Sequence, residues 1–221
     1  MEHQRIFDQE LDELKEMILK MGSMVQSLIE KSIEALKLLD SDLAQKVILE
    51  DENIDQMELE IDEKCIQLIA LRQPEASDLR FLTTGMRIST DLERIGDMAE
   101  DIAHRTIELT GQPLLKPLVD IPEMAKLDQE SLMLVLKAFV EKNPEISKPV
   151  WEKEKEVDKL RDLIHDELVE IMNKDAKTVP RAVPLLLISR HLERISDHLT
   201  NIEEDILYMV EGKVIKHGGP S

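Results

Sequence analysis

The sequence is poor in aromatic residues, glycine and cysteine. Phe, Trp and Tyr make up 2% of the 221 residues, and only seven glycines are spread over the chain. Because β-sheets favour aromatic and β-branched residues and their turns use glycine, this composition favours an all-helical protein. The single cysteine, Cys65, excludes an internal disulfide, and its place on the apolar face of a predicted helix indicates a small buried hydrophobe.

Positive charge is also scarce. There are 28 Lys and Arg residues against 47 Asp and Glu, which gives a formal net charge of −19. Such a chain repels phosphate backbones, and its basic residues form no stripe, so nucleic acid is not expected as a partner. No apolar run approaches the roughly 20 residues that span a bilayer, and the start of the sequence does not have the pattern of a secretory signal. We therefore expect a soluble cytoplasmic protein that does not insert into membranes.

Apolar residues recur every three or four positions through six segments, as in amphipathic helices. The second segment stops before Pro74, which cannot continue a helix, and Pro180 and Pro184 are both placed in the first turn of the last one. HGGPS at the end of the sequence is expected to fray. The predicted helices cover about 4–39, 41–73, 78–110, 122–140, 150–173 and 180–212.

The chain contains an internal repeat. DLERIGDMAEDIAH at residues 91–104 returns as HLERISDHLTNIEE at residues 191–204, and Ile61 in the second predicted helix aligns with Ile164 in the fifth. A segment with three prolines and one glycine, residues 111–122, separates the halves and is interpreted as a linker. We predict an all-α fold of two tandem antiparallel three-helix bundles related by a pseudo-twofold, with domains at 1–111 and 112–221.

Each copy of the repeated helix carries two carboxylates one turn apart. Glu93 and Asp97 in the first copy, and Glu193 and Asp197 in the second, lie roughly opposite the apolar seam, so we expect them to point to the exterior. Like charges at i and i+4 cost an isolated helix about 0.2–0.5 kcal/mol. The repulsion within each pair is therefore either screened by solvent or offset by a bound cation.

Two further acidic pairs stand on the preceding helices. They are Asp51 with Asp55 in the first half and Glu154 with Asp158 in the second. Asp55 lies at the edge of its own apolar stripe, where it can converge with the carboxylates of a neighbouring antiparallel helix. Oxygen ligands suit Ca²⁺, Mg²⁺, Mn²⁺ or iron. Because 34% of the residues are charged, acidic pairs are also expected on a solvated face, and the residues alone leave both interpretations open.

Histidines and nucleophiles give little sign of catalysis. His104 and His165 each follow an aspartate at the spacing used by di-metal carboxylate bundles, but they lie away from the apolar seam and are interpreted as surface residues. His198 flanks an acidic pair and is a candidate supplementary ligand. No Gly-rich phosphate loop, Ser-His-Asp order or Cys-His pair is present, so we do not expect an enzyme.

The run ALRQPEASDLRFL at residues 70–82, together with DLERIGDMAEDIA and HLERISDHLTNI, strongly resembles the PhoU family of bacterial regulators of phosphate uptake. The resemblance extends over essentially the whole chain. It implies the two-bundle fold and, in each half, a pair of Glu(or Asp)-x-x-x-Asp motifs that hold clusters of iron or other metals in some members. The implied ligands are Asp51, Asp55, Glu93 and Asp97 for one cluster, and Glu154, Asp158, Glu193 and Asp197 for the other.

Two details of the metal sites remain open at this stage. The sequence does not distinguish Fe, Mn, Mg, Ca, Ni and Zn as the bound metal. Asp101 of the first half is replaced by Asn201 in the second, which predicts fewer anionic ligands in the second cluster.

The resemblance implies a negative regulator of phosphate uptake and of the phosphate-starvation two-component response. Such a protein is an adaptor between the ATPase of a phosphate ABC importer and the sensor histidine kinase or its response regulator. It works in the cytoplasm, recruited to the inner face of the membrane by its partners, and forms a homodimer. Two alternatives remain: a carboxylate-rich helical metal-storage protein, whose ligands belong inside the bundle, and a chaperone-like helical interaction module without metal.

Overall fold

The computed structural model describes residues 2–212, with side chains from residue 6 onward. No β-strand is found within that range, which confirms the predicted all-α class. Two short 3₁₀ segments, Pro144–Ile146 and Ala176–Thr178, precede the last two helices. The six helices are α1 (Glu2–Leu38), α2 (Ser41–Arg72), α3 (Ala76–Leu109), α4 (Asp120–Glu141), α5 (Val150–Lys174) and α6 (Val179–Glu211).

Each half is a bundle of three helices joined in an up-down-up order. In the first half α1, α2 and α3 all pack on one another, and α4, α5 and α6 do so in the second. The turns are local in origin: Oδ1 of Asp40 accepts hydrogen bonds from the N–H groups of Asp42 and Leu43 at the start of α2, and Gln73 ends that helix in the left-handed conformation before Pro74. Because these caps depend on residues close to the helix ends in the sequence, most helix limits match the prediction within two residues.

The two halves meet mainly through α3 and α6, and α1 also packs on α4. The contacts between these two long helices show that they run antiparallel. Nη1 of Arg87, in the first half of α3, donates a hydrogen bond to Asp205 near the end of α6, and Asp101 in the second half of α3 lies beside His191. Phe81 of α3 stacks on Phe139 of α4, with ring centroids 4.9 Å apart. A continuous core therefore joins the halves, and the division into domains 1–111 and 112–221 stays a prediction.

The predicted apolar seams form the centre of this core. Cys65 is fully buried with them, and burial raises the pKa of its thiol to about 12, so its interpretation as a buried hydrophobe is confirmed. The repeated helices contribute equivalent fully buried residues, Ile88, Leu92, Ile95, Ala99 and Ile102 from α3 and Ile188, Leu192, Ile195, Leu199 and Ile202 from α6.

Some boundaries differ from the prediction. Pro184 lies inside α6, a turn beyond the first turn in which it was placed, because the helix already begins at Val179. Helix α3 begins at Ala76 with Glu75 at its N-cap, two residues before the predicted start at 78. A carboxylate in the first turn of a helix is favourable without acting as the cap, which explains the position of Asp78. The HGGPS segment lies outside the described residues.

Candidate metal centre

Three carboxylates of the first half converge between α2 and α3. One oxygen of each of Asp51, Asp55 and Asp97 lies within 4.8 Å of the corresponding atoms of the other two. Asp51 and Asp55 are one turn apart on α2, and Asp97 faces them from α3. Among the described side chains, no other group of three or more His, Cys, Asp or Glu residues is this close. We call these three residues, together with Glu93, the first cluster.

Asp51 is buried, whereas the other three carboxylates of the first cluster are partly or fully exposed. Its exposed fraction is 5%, and its Oδ1 has no hydrogen-bond partner. The cause is on the opposite helix, where Gly96 has no side chain to fill the space that Asp51 enters. Because a buried carboxylate without a partner is unfavourable when ionised, this position favours either a proton or a bound cation.

The charges of the first cluster repel one another. Burial, followed by the charges of Asp55, Glu100, Asp97 and Glu93, raises the pKa of Asp51 to about 7. Burial and the charge of Asp97 raise the pKa of Asp55 and of Glu93 as well. A group of carboxylates that resist simultaneous ionisation is the arrangement that a divalent cation stabilises.

Arg94 is a nearby basic group. Its Nη1 lies 3.1 Å from Oδ2 of Asp97, and its Nε lies 3.3 Å from Oε2 of Glu93. The side chain is 55% exposed, so these contacts are made from the solvent side of the cluster. Solvent-exposed ion pairs contribute little to stability, and Arg94 makes no ion pair with the buried Asp51.

The second cluster consists of Glu154 and Asp158 on α5 with Glu193 and Asp197 on α6. Burial, together with repulsion from Asp158 and Asp197, raises the pKa of Glu154. Burial also raises the pKa of Glu193 and of Asp197, and the charge of Asp158 raises both pKa values further. The four carboxylates therefore influence one another's ionisation, and Glu193 is partly exposed, away from the apolar seam as expected.

An arginine lies among the carboxylates of the second cluster. Nη2 of Arg161 is 3.7 Å from Oδ1 of Asp158 and 3.7 Å from Oε1 of Glu193. Its Nη1 is 3.0 Å from Oδ1 of Asp162 on the same helix. Sequence reasoning did not identify Arg161, because only the packing of α5 on α6 shows that a basic residue one turn after Asp158 reaches Glu193.

Other candidate residues belong to the contact between the halves. His198, predicted as a flanking ligand, has its Nδ1 2.8 Å from Oδ1 of Asp91. Oδ2 of Asp101 lies 3.6 Å from Nδ1 of His191 on α6. Asp101 therefore faces α6 at the contact between the halves, and the expectation of fewer anionic ligands in the second cluster stays a prediction.

Comparison with known proteins identifies the family. The family model described as the PhoU domain matches the chain twice, at residues 18–106 and 121–206. The chain belongs to the PhoU family. Both matches contain the repeated acidic helix, so the internal repeat read from the sequence is the repeat of the PhoU domain.

Relatives of PhoU type match nearly the full chain. The phosphate-specific transport system accessory protein PhoU homolog of Aquifex aeolicus is 41% identical over 208 residues, which cover 94% of each protein. The accessory protein PhoU of Escherichia coli is 35% identical over 213 residues, which cover 96% of this chain and 88% of that protein. The chain is therefore similar to accessory proteins of phosphate-specific transport systems.

Solved PhoU structures confirm the architecture. The crystal structure of PhoU from Pseudomonas aeruginosa has a TM-score of 0.89 and 35% identity, covering 94% of this chain and all of that one (100%). The regulatory protein PhoU from Streptococcus pneumoniae gives a TM-score of 0.89 at 30% identity, with 95% and 99% of the two chains covered. The predicted fold of two tandem three-helix bundles is confirmed. In the part of the chain that is described, no helix has the length and apolarity needed to cross a membrane.

Proposed function

We propose that this PhoU-family chain is a negative regulator of phosphate uptake and of the phosphate-starvation two-component response. The observation that carries the proposal is the match to named transport-system accessory proteins over nearly the whole chain, in both repeats. In this role the protein limits import and favours the inactive state of the response when phosphate is plentiful.

The proposed mode of action is that of an adaptor. Its partners are the ATPase of a phosphate ABC importer and the sensor histidine kinase or its response regulator, at the cytoplasmic face of the membrane, and the protein acts as a homodimer. The surface of α2 supports a docking role, since Leu59 and Ile66 stand two turns apart on one face and are 62% and 57% exposed. Apolar residues at this spacing, set among charged ones, suit a partner helix.

Cation binding at the first cluster is part of the proposal. Asp51, Asp55 and Asp97 present oxygen atoms at a separation that one ion can bridge, and the unpartnered Asp51 fits a site that a cation completes. Glu93 supplies a fourth carboxylate. Oxygen-only ligands favour iron, Mn²⁺, Mg²⁺ or Ca²⁺ over a structural Zn²⁺ site, and Ni²⁺ is the remaining candidate. A bound divalent ion offsets two of the negative charges of the cluster and thereby makes partner contact depend on the metal.

The regulatory role is tested by deleting the gene in its own host and following a phosphate-starvation reporter in phosphate-rich medium. We expect derepression without the protein and repression when the wild-type chain is restored. A reporter that stays repressed in the deletion strain contradicts the regulatory function.

The adaptor and metal roles are tested together by capturing the purified cytoplasmic part of the kinase, with and without a chelator. The Glu93→Gln/Asp97→Asn variant is compared with Asp166→Asn/Glu170→Gln, which removes two charges one turn apart from an exposed part of α5. Loss of capture by chelator and by the first variant alone supports metal-dependent docking. Capture unaffected by chelator indicates the metal-free interaction module, and metal uptake without kinase capture indicates storage.

A further inference from the structure

The two clusters occupy equivalent places in the repeat but differ in their charged neighbours. With Ile61 of α2 aligned on Ile164 of α5, Glu58 corresponds to Arg161, and Glu52 corresponds to Lys155. Both positions carry a negative charge in the first half and a positive charge in the second. On the third helix of each half, Glu100 in α3 is replaced by a neutral threonine in α6.

In the first half these neighbours increase the negative charge. Glu58 is held beside the cluster because Oγ1 of Thr90 donates a hydrogen bond of 2.9 Å to its Oε1. Glu100 lies one turn after Asp97 on α3, so Glu58 and Glu100 both add negative charge beside the cluster. Arg94, which is 55% exposed, contacts Asp97 and Glu93, but among the described residues no basic side chain is paired with Asp51 or Asp55. The first cluster therefore keeps an excess of negative charge.

In the second half the neighbours reduce the negative charge. Arg161 lies 3.7 Å from both Asp158 and Glu193, its side chain is 32% exposed, and its Nε is buried. A guanidinium keeps its charge at all accessible pH values and presents several N–H groups in one plane, so it can remain between two carboxylates. Lys155 directly follows Glu154 on α5 and adds a second positive charge near the cluster.

None of the four carboxylates of the second cluster is buried as Asp51 is, although the charge of Asp197 acts on the fully buried Asp128 of α4. Asp51 enters the space beside Gly96, whereas its equivalent, Glu154, remains partly exposed, and Ser196 replaces Gly96 in the second half. Among the described residues, no three carboxylate atoms of the second half converge as those of Asp51, Asp55 and Asp97 do.

We propose that Arg161 is the built-in cation of the second cluster, so that a divalent ion binds readily at the first cluster and is excluded from the second. The inference rests on the proposed cation binding at the first cluster. It assigns different roles to the two halves: the first responds to metal, and the second keeps a surface whose negative charge is partly offset by Arg161 and Lys155, whether metal is present or not.

The test is a titration of the full-length, chelator-treated protein with Mn²⁺ alone. Free Mn²⁺ is followed by electron paramagnetic resonance, which gives the number of ions bound per chain and their affinity. Wild type is compared with Arg161→Glu and Glu58→Arg, which exchange the residues found at equivalent positions. Matched controls are Lys159→Glu on α5 and Glu63→Arg on α2, which make the same charge changes at exposed positions.

We expect the Arg161→Glu variant to bind about twice as much Mn²⁺ per chain as wild type, because removing the guanidinium opens the second cluster. The Glu58→Arg variant should lose at least about tenfold in affinity at the first cluster, since a positive charge is placed beside Asp55 and Glu93. The controls should change affinity less than about twofold, because exposed charges farther away are screened. Circular dichroism verifies that each variant is folded, and Arg161→Gln provides a second variant that removes the charge without adding a carboxylate.

Adding Glu93→Gln/Asp97→Asn to the wild type shows which cluster binds the ion. If that variant retains half of the bound Mn²⁺, both clusters bind metal in the native protein, and the role given to Arg161 is wrong. The same conclusion follows if neither Arg161→Glu nor Arg161→Gln binds more Mn²⁺ than wild type. Absence of Mn²⁺ binding by wild type, with binding by Arg161→Glu, instead overturns the proposed metal function of the first cluster and leaves the role of Arg161 supported.

Discussion

A Cβ atom placed on Gly96 would lie 2.6 Å from Oδ1 of Asp51. Glycine inside a helix costs about 1 kcal/mol relative to alanine, so its presence in the middle of α3 needs a reason in the packing. The reason is the close approach of the Asp51 carboxylate from α2. Gly96 thus has a direct effect on the candidate metal centre, although it offers no ligand itself.

Replacing Gly96 by alanine is expected to weaken cation binding at the first cluster by at least about tenfold, because the new methyl group displaces Asp51. Stability should change by less than about 1 kcal/mol, since the helix gains propensity while the side chains of Asp51 and Ile54 must shift. Mn²⁺ titration and urea unfolding measure the two effects.

The matched control is Ser196→Ala, which alters the equivalent position of the second half. It should leave Mn²⁺ binding at the first cluster unchanged. A Gly96→Ala protein that binds Mn²⁺ as tightly as wild type would show that the position of Asp51 does not matter for the site.

The buried Asp51 should make the metal-free protein less stable than a variant without this carboxylate. We expect Asp51→Asn to raise the free energy of unfolding at pH 8 by about 1–2 kcal/mol without metal, because a neutral amide replaces a buried ionised carboxylate near Asp55 and Asp97. The same change should remove the stabilisation that Mn²⁺ gives to wild type. Urea unfolding with and without Mn²⁺ tests both statements, and a destabilised metal-free variant would contradict the first.

Asp128 on α4 should make stability depend on pH. It is fully buried, and burial raises its pKa well above the ordinary value, so the folded protein keeps a proton that the unfolded chain releases. Stability contributed by this group is present below the unfolded pKa of about 4 and falls as pH rises toward the folded pKa, by up to about 1.4 kcal/mol per pH unit.

The measurement is urea unfolding between pH 5 and pH 8. The Asp128→Asn variant should lose this part of the pH dependence and gain relative stability at pH 8, whereas Asp166→Asn, at a largely exposed aspartate, should behave as wild type. Parallel pH profiles for wild type and Asp128→Asn would show that the carboxyl of Asp128 does not keep its proton in the fold.

The stacked pair of Phe81 and Phe139 should make the two halves unfold together. Phe139→Ala removes a fully buried ring and should cost about 3–5 kcal/mol, whereas Phe139→Leu should cost less because it keeps most of the volume.

Trp151, the one tryptophan of the chain, reports on the second half, where its Nε1 donates a hydrogen bond of 3.0 Å to Glu203. Coincident unfolding by tryptophan fluorescence and circular dichroism is expected. Separate transitions would support independent domains.

Much of the fold was predictable because its causes are local. The three-to-four-residue apolar period marks all six helices, and proline, glycine and the capping Asp40 set most of their ends. The repeated acidic pairs likewise identified the four positions of each cluster, because residues four apart share a helix face. Glu100 was within reach of the same reasoning, since it continues the series of Glu93 and Asp97 by one more turn.

The sequence by itself determined the helices, the repeat and the residues that form the two acidic clusters. Only the tertiary structure decided that Asp51 turns inward beside Gly96 and that Arg161 lies between Asp158 and Glu193. The spacing of residues along one helix determines the helix face from which a carboxylate projects. The space and charge that it meets come from the neighbouring helix, and these depend on how the two helices pack.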